Sequence, residues 1–418
     1  MAERTSGRQG LRPYKLFYFF LNFGLATHVY LNLYFKELGL NGTQIGMLRA
    51  VGPLVMLASQ PMWGLVADLT GKHRRVLKAL LIGASATFLL VLAARGFLAL
   101  LVIMLAYSVF FGSITMMTDS ITLSRISGDQ QAFSKVRLWW ALGAVFGTLP
   151  LGYLLERLPL ASIFPIYALC MMVGFGLVSA FQEQKAGLKD DGGGRSGARQ
   201  CKVESHAADR GGGKGRPVWR GQEGLRGVAV LIGSRPFARF LLGVLLLQAA
   251  YFGGDNFYPL YIAASGGSNT VLAISYTIGG ISEILGYRWL SRWDSAFRNR
   301  RLLILSALLF ALRWLICLAS QSLFGLVASQ VLQGATFTLF YVASATYVRA
   351  TVGERFCATA QSVLWAVGFA IAPALGNWGG GVIADLFGLR AIYYFALFAA
   401  LGAGISFSGV RYRIKGAF

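Results

Sequence analysis

Residues 182–235 read QEQKAGLKDDGGGRSGARQCKVESHAADRGGGKGRPVWRGQEGLRGVAVLIGSR, and they divide the chain into two matched parts. The stretch holds thirteen glycines, eleven lysines or arginines and six acids, with no apolar run long enough to bury a core. Such a composition cannot offset the entropy that ordering costs. The residues on either side of it are overwhelmingly apolar. We therefore predict two halves, residues 1–181 and 236–418, joined by a flexible basic linker, residues 182–235.

Apolar content sets the class of protein. The hydrophobic share is 56% and the mean hydropathy is +0.58, both above the values of soluble domains. Apolar runs of about 20 residues recur, and each is long enough to cross a bilayer as a helix. The sequence thus predicts an all-α integral membrane protein with twelve transmembrane helices. We place the spans at about 14–36, 43–67, 75–95, 97–122, 135–155, 160–181, 236–262, 270–290, 302–320, 322–348, 357–383 and 389–410.

The positive charges lie between these spans and predict the orientation. If the N-terminus is cytoplasmic, 33 of the 39 lysines and arginines fall in cytoplasmic segments or at the cytoplasmic ends of spans. The outer loops and the outer ends of spans then hold only Lys36, Arg95, Arg157 and Arg390, and Arg49 and Arg313 lie inside spans. This asymmetry predicts that both termini are cytoplasmic and that the protein lies in the plasma or inner membrane of the cell. It also explains the net charge of +22 without a nucleic-acid partner.

The two halves repeat a local pattern. Residues 152–164 read GYLLERLPLASIF and residues 381–393 read GVIADLFGLRAIY, with the same spacing between the glycine and the acid. The pair Trp140 and Gly143 recurs as Trp365 and Gly368. Two six-helix halves related by an axis along the membrane normal are typical of a secondary transporter whose solute site lies between them.

The loop after span two carries a recognisable motif. Residues 64–75 read GLVADLTGKHRR, in which glycines permit a tight turn and an acid ends a helix close to basic residues. The spacing resembles the loop 2–3 signature of the major facilitator superfamily and departs from it at Leu69. The resemblance implies that this loop helps to lock one access state; the alternative is a basic loop without that role. The candidate gating residues are Gly64, Asp68, Gly71, Lys72, Arg74, Arg75, Asp119 and Arg137.

Motifs from span four onward narrow the resemblance. Residues 119–123 (DSITL) and 133–143 (FSKVRLWWALG), with Ser282-Glu283, Arg313-Trp314 and Thr336-Phe337, resemble the phenylpropionate permease branch, relatives of lactose permease and the nucleoside–proton symporters. The resemblance implies proton-coupled uptake of an aromatic acid, nucleoside or sugar. Rival hypotheses are proton-driven efflux of drugs or metabolites, and a transport-dead receptor or scaffold of the same fold.

Proton coupling needs a titratable group inside the membrane. This chain has Gln333 where the branch often has a histidine, and Gln333 cannot carry a proton. Charged residues inside a span are functional candidates because they are costly to insert. We expect Glu283 and Arg313 to lie at similar depth and to meet, so that desolvation and the arginine together tune the carboxylate. The alternative is a static ion pair.

A polar stripe in span four surrounds a second acid. Ser108, Thr115, Thr118 and Thr122 lie with Asp119 near one helical face. A stripe of this kind lines an aqueous cavity or packs between membrane helices. Arg137 is the expected partner of Asp119, and we favour a gate or structural pair over contact with substrate.

Other polar residues within the spans are candidates for the substrate cavity. Amide side chains can donate hydrogen bonds to a solute, and a histidine such as His28 can in principle titrate near neutral pH, although a lone histidine more often makes a helix contact. Arg49 could attract an anionic substrate, snorkel, or pair with Asp255. The candidate cavity residues are Tyr18, Asn22, His28, Asn32, Arg49, Thr115 and Gln333.

Several classes of function are disfavoured. The sequence has no phosphate-binding loop in a strand–helix context, no cluster with metal-ligand spacing and no catalytic triad. We therefore predict no enzyme activity, no cofactor and no metal. The expected partners are a small-molecule substrate, protons and the lipid bilayer, and we expect a monomer.

Overall fold

The computed structural model describes residues 11–126, 130–181, 233–290, 299–320, 322–352 and 357–410. Within these ranges the chain forms twelve helical segments. They are α1 (Arg12–Leu25 and Leu31–Glu37), α2 (Gly42–Thr70), α3 (His73–Leu90), α4 (Gly96–Arg125), α5 (Gln130–Leu154), α6 (Ile163–Ser179), α7 (Arg235–Ala264), α8 (Asn269–Leu290), α9 (Asn299–Ala319), α10 (Leu323–Thr351), α11 (Cys357–Ala366 and Ala372–Phe387) and α12 (Leu389–Ser408). The predicted spans match these helices to within a few residues. Residues 182–232 of the predicted linker lie outside the described ranges.

Ten of the helical segments are long and apolar enough to cross a membrane by themselves. Helices α5 and α8 fall short of that measure because each carries charged residues: Lys135 and Arg137 in α5, Glu283 and Arg288 in α8. Both lie against other spans within the bundle, so tertiary packing places them in the membrane. The prediction of twelve transmembrane helices in two halves is confirmed.

Two helices are distorted in the middle. A 3₁₀ turn, Ala26–Val29, interrupts α1, and a π-helical turn, Val367–Ile371, interrupts α11. Such turns often mark functional positions because they redirect neighbouring side chains. The two helices occupy different positions in their halves, so the distortions are not a product of the repeat.

The packing within each half follows the same scheme. Helix α1 packs on α5 and α6, α3 packs on α4 and α6, and α2 packs on α4. Adding six to each number gives the pairs of the second half: α7 on α11 and α12, α9 on α10 and α12, and α8 on α10. Between the halves, α2 packs on α11 and α5 packs on α8, a pair of contacts that the same operation exchanges. The bundle therefore has the pseudo-twofold symmetry that the sequence repeat predicts.

Hydrogen bonds recorded between described residues of the two halves lie at one end of the bundle. This end, called the closed end below, contains the α1–α2, α7–α8 and α11–α12 connections. Asn32 donates to the Asn256 carbonyl at 2.5 Å, and Tyr30 donates to the Asn269 carbonyl at 3.3 Å. Asn269 donates to the Leu155 carbonyl at 3.0 Å. The halves are therefore joined on the side where the chain leaves α1.

Candidate solute and proton site between the halves

A charged pair lies on the wall formed by the first half. Both Nη1–O distances from Arg137 to the Asp119 carboxylate are short, 2.7 and 2.6 Å. The Tyr18 hydroxyl donates to the same carboxylate at 2.5 Å. The Arg137 guanidinium also stacks over the Trp140 ring, 5.2 Å from its centre. The predicted contact between Asp119 and Arg137 is present, and it ties α4 and α5 to α1.

This pair is not sealed inside its own half. The Arg137 side chain is 39% exposed and that of Asp119 is 28% exposed. The charge of Arg137 is close enough to interact with the Tyr287 hydroxyl on α8. The charges of Arg137 and Asp119 are both close enough to interact with the Tyr341 hydroxyl on α10. The pair therefore faces the second half across the interface. Nearby, Asn22 donates to the Trp140 carbonyl at 2.8 Å and so holds α1 to α5.

Of the two alternatives for the polar stripe on α4, packing between helices fits most of its members. Ser108, Thr118 and Thr122 are buried, and each hydroxyl donates to the carbonyl four residues earlier in its own helix. Hydroxyls bonded in this way leave a small, satisfied surface for helix packing. Thr115 is half-buried and remains a candidate for the cavity. Packing between helices therefore accounts for most of the stripe.

Aromatic rings form the opposite wall. Tyr251 on α7 is followed by Phe337 and Tyr341 on α10 and by Trp365 and Phe369 on α11, with ring centres 4.5–6.1 Å apart along the series. All five side chains are half-buried. Phe369 lies in the π-helical turn, and its ring centre is 4.5 Å from that of Trp365. Aromatic walls with a few fixed polar groups are typical of small-molecule sites.

Glu283 does not meet Arg313. It lies about 21 Å along α8 from the closed end, whereas Arg313 lies about 9 Å from that end of α9. Its side chain is half-buried, and within the described ranges it has no hydrogen-bond or ion-pair partner. The Glu283 carboxylate is close enough to interact electrostatically with the hydroxyls of Tyr251 and Tyr287. Glu283 is therefore a carboxylate without a cationic partner, close to the aromatic wall.

The partner of Arg313 is Asp255. The Arg313 side chain is fully buried, and its Nη2 donates to Asp255 at 2.8 Å and to the Gln330 amide oxygen at 3.1 Å. Gly254 makes this possible, because a Cβ at that position would lie 2.7 Å from the Trp314 ring. The expectation that Glu283 and Arg313 lie at similar depth is therefore wrong, because their positions along the helix axes differ by about 12 Å. The glycine before Asp255 was the signal for close packing of α9 on α7.

Arg49 belongs to a network of asparagines across the halves, and of its three alternatives direct pairing with Asp255 is not found, since Asp255 pairs with Arg313. Its Nη2 donates to the Asn256 side-chain oxygen at 2.7 Å. Asn256 in turn donates to Asn377 at 2.6 Å, and Asn377 donates to the Arg49 carbonyl at 3.3 Å. Asn32 joins the network through the Asn256 carbonyl. Sequence reasoning missed Asn256 and Asn377, although a polar residue inside an apolar span is itself a signal.

His28 and Gln333 differ from the simple cavity expectation. The imidazole stacks between Phe88 and Phe111, and its Nε2 lies 2.7 Å from the Tyr107 hydroxyl. His28 is therefore packed among rings of its own half, the helix-contact alternative. Gln333 donates to the Tyr251 hydroxyl at 3.4 Å, so it positions one member of the aromatic wall.

The loop that was expected to act as a gate, residues 64–75, has the tight turn that its sequence predicts. Gly71 ends α2 with φ of 63°, a left-handed conformation that favours glycine. Asp68 is 76% exposed and lies 3.2 Å from His73. Arg74 donates to the last carbonyls of α6, at Val178 and Ser179. Gly64 needs no close approach, since a Cβ there would make an ordinary contact of 3.7 Å with Met116. Lys72 and Arg75 are exposed.

Comparison with known proteins adds independent support for the fold. The maltose permease of Geobacillus stearothermophilus is 26% identical over 384 residues, covering 91% of this chain and 90% of the relative. The probable 3-phenylpropionic acid transporter of Escherichia coli (strain K12) is 24% identical, covering 81% and 82%. The crystal structure of the nucleoside transporter NupG superposes with a TM-score of 0.76 at 16% identity, covering 96% of this chain and 99% of that one.

The family follows from a match along nearly the whole chain. The model of the MFS_1-like family matches residues 11–403, which include both halves and the linker between them. Members of such families move solutes and are not enzymes, in agreement with the relatives above. The chain therefore belongs to the MFS_1-like family and is a multi-pass membrane transporter of the major facilitator superfamily.

Proposed function

We propose that this transporter takes up a small, ring-bearing organic solute together with protons. The observation that carries the proposal is that a charged wall of the first half faces an aromatic wall of the second half. On one wall Arg137 and Asp119 are partly exposed, and on the other Tyr341 and Trp365 present aromatic rings. An aromatic acid, a nucleoside and a sugar each combine a ring face with polar groups, so each is a candidate solute. The names of the relatives support the same three classes.

The proposed mechanism is alternating access. The two halves are joined by hydrogen bonds at the closed end, while the charged pair deeper in the bundle keeps solvent-exposed surface. With the orientation that the basic loops predict, the closed end faces outward and the site opens to the cytoplasm. Rocking of the halves about the site would then expose it to each side in turn. One chain supplies both walls, which supports a monomer as the working unit.

Glu283 is the proposed carrier of the proton. A carboxylate held away from water and from any cation binds a proton more readily than one beside an arginine. Within the described ranges Glu283 has no such cation, whereas Asp255 has Arg313 and Asp119 has Arg137. A change of water access around Glu283 would then load and release the proton. This separates the roles that the sequence had assigned jointly to Glu283 and Arg313.

Uptake by purified protein in liposomes tests the proposal. An inside-alkaline pH gradient should drive accumulation of one of three labelled probes: maltose, a nucleoside or 3-phenylpropionate. A protonophore should abolish the accumulation. Loss of preloaded probe when the gradient is imposed would favour proton-driven export. No movement of any probe, even by exchange, would favour a receptor or scaffold and contradict the proposal.

A further inference from the structure

Two acids at the closed end bind the first turns of helices in the opposite half. Asp385, near the end of α11, accepts the Gly42 N–H at 2.6 Å and the Thr43 N–H at 2.7 Å at the start of α2. It also accepts the Thr43 hydroxyl at 2.6 Å. Glu156, just after α5, accepts the Thr270 N–H at 2.8 Å at the start of α8. The pseudo-twofold operation that exchanges α2–α11 with α5–α8 also exchanges these two contacts.

The free N–H groups in the first turn of a helix explain why acidic side chains occupy these two positions. The first N–H groups of a helix have no partner in the helix, and together they attract negative charge. Asn41 takes the Gln44 N–H at 2.8 Å, so the opposite half supplies the acceptor for the two N–H groups before it. At the second contact, hydrogen bonds from Thr270 hold the pKa of the Glu156 carboxyl below its usual value. Both acids are therefore used as anions.

The repeated segment contains a glycine that lets the backbones of the two halves approach each other closely. A glycine lies four residues before each acid, Gly152 before Glu156 and Gly381 before Asp385. A Cβ on Gly381 would overlap the Gly42 carbonyl, and one on Gly152 would lie 2.8 Å from the Asn269 carbonyl. In each case the glycine lets the backbone of one half reach the first turn of a helix in the other.

We propose that Asp385 and Glu156 are matched positioning residues for transport, two latches that close the outer side by binding helix N-termini across the halves. Both must release when the halves rock, so their strength sets the ratio of closed to open molecules at this end. The proposal extends the alternating access proposed above. It does not depend on the identity of the solute or on proton coupling.

A cysteine introduced at a buried position of the closed end can measure how often this end opens, and the measurement needs neither solute nor a pH gradient. Ala50 lies on α2 four residues after Gly46, which packs against α11, and it is 8% exposed. The rate at which a maleimide labels Ala50→Cys in purified protein measures the open fraction. The native Cys170, Cys317 and Cys357 are buried. In the protein used for labelling, the remaining native cysteine is removed by the substitution Cys201→Ser.

Removing either latch should speed labelling. We expect Asp385→Ala and Glu156→Ala each to raise the rate about fivefold, the effect of one charge at a helix terminus. The double variant should give about twenty-fivefold, since the effects of two separate latches on the rate multiply. The amide variants Asp385→Asn and Glu156→Gln should give a smaller rise in the same direction.

The control removes a charge from the same end without touching a latch. Glu37 is exposed there, so Glu37→Gln should leave the labelling rate unchanged. An unchanged rate in the double variant, or an equal rise in the control, would overturn the proposal. Loss of folding in both the alanine and the amide variants would also overturn it, because exposed latches are dispensable for folding. Latches that behave as expected in a protein that fails the uptake test would leave this inference intact and reject the proposed solutes or coupling.

Discussion

The buried pair of Arg313 and Asp255 yields a prediction with a definite size. The Arg313 side chain has no exposure and that of Asp255 has 14%, and they meet at 2.8 Å. Asp255→Ala would leave the guanidinium buried without its counter-ion. Breaking a buried pair by removing one partner costs about 3–5 kcal/mol. We expect the free energy of unfolding of Asp255→Ala to fall by that amount.

A double-mutant cycle identifies the partner. With Arg313→Leu as the second change, the double variant no longer holds an unpaired buried charge. The cycle for Asp255 and Arg313 should therefore give a coupling energy of about 2 kcal/mol or more, whereas residues without contact add to within about 0.5 kcal/mol. Glu283→Ala with Arg313→Leu supplies the matched control, since Glu283 lies farther from the closed end. Its coupling energy should fall within that margin.

Thermal unfolding of detergent-solubilised protein measures both cycles. A change of 1 kcal/mol shifts the Tm of a unit as large as one half by roughly 2–4 °C, so Asp255→Ala should lower Tm by about 6 °C or more. The reasoning fails if Asp255→Ala keeps the wild-type Tm. It also fails if the Glu283 cycle shows the larger coupling energy, because Arg313 would then belong to Glu283.

Three further predictions concern the Asp119–Arg137 pair, the linker and the pH dependence of the Glu156 latch. Asp119→Asn removes the charge that Arg137 and Tyr18 share, and we expect solute exchange to slow about tenfold and equilibrium binding to weaken by a smaller factor, because Arg137 still faces the site; binding weakened about tenfold with normal exchange would contradict this. Deletion of residues 192–215 should leave uptake near wild type, because a flexible segment costs little to shorten; a deleted protein that folds but does not transport would show that the linker has a docked role. The Glu156 latch contributes fully above the usual carboxyl pKa of about 4.3 and is lost as the pH falls through its lowered value. In the Asp385→Asn background, acid below pH about 4 should therefore raise the labelling rate of Ala50→Cys relative to that of an exposed cysteine at the same pH, a reference that corrects for loss of the reactive thiolate; the same relative rise after Glu156→Gln is added would refute its assignment to this group.

The sequence predicted the membrane architecture because length and hydropathy determine whether a segment crosses a bilayer. It predicted the contact of Asp119 with Arg137 because both lie near the same end of neighbouring spans. The turns that interrupt α1 and α11 were not predicted, since a 3₁₀ or π-helical turn leaves hydropathy unchanged. Such features depend on tertiary packing.

The errors at the site share one physical cause. Counting residues along a helix gives only a rough depth and does not tell which neighbouring helix a side chain faces, so Arg313 was assigned to Glu283, which lies about 12 Å farther from the closed end, when Asp255 reaches it. The same limit applies to Glu156 and Asp385. Their repeat was visible in the sequence, but the helix that each acid binds is fixed by contacts between the halves.

Uphill transport by Glu283→Gln tests the central claim most directly. The claim is that Glu283, a carboxylate with no cationic partner among the residues that the structure describes, couples proton entry to solute entry as the two halves rock. In liposomes with an inside-alkaline gradient, wild type and the exposed control Glu37→Gln should concentrate the solute that the uptake test identifies. Glu283→Gln should not concentrate it, yet should still exchange it across the membrane, because the walls of the site are intact. If Glu283→Gln concentrates solute as wild type does, Glu283 does not carry the coupling proton and the account is contradicted.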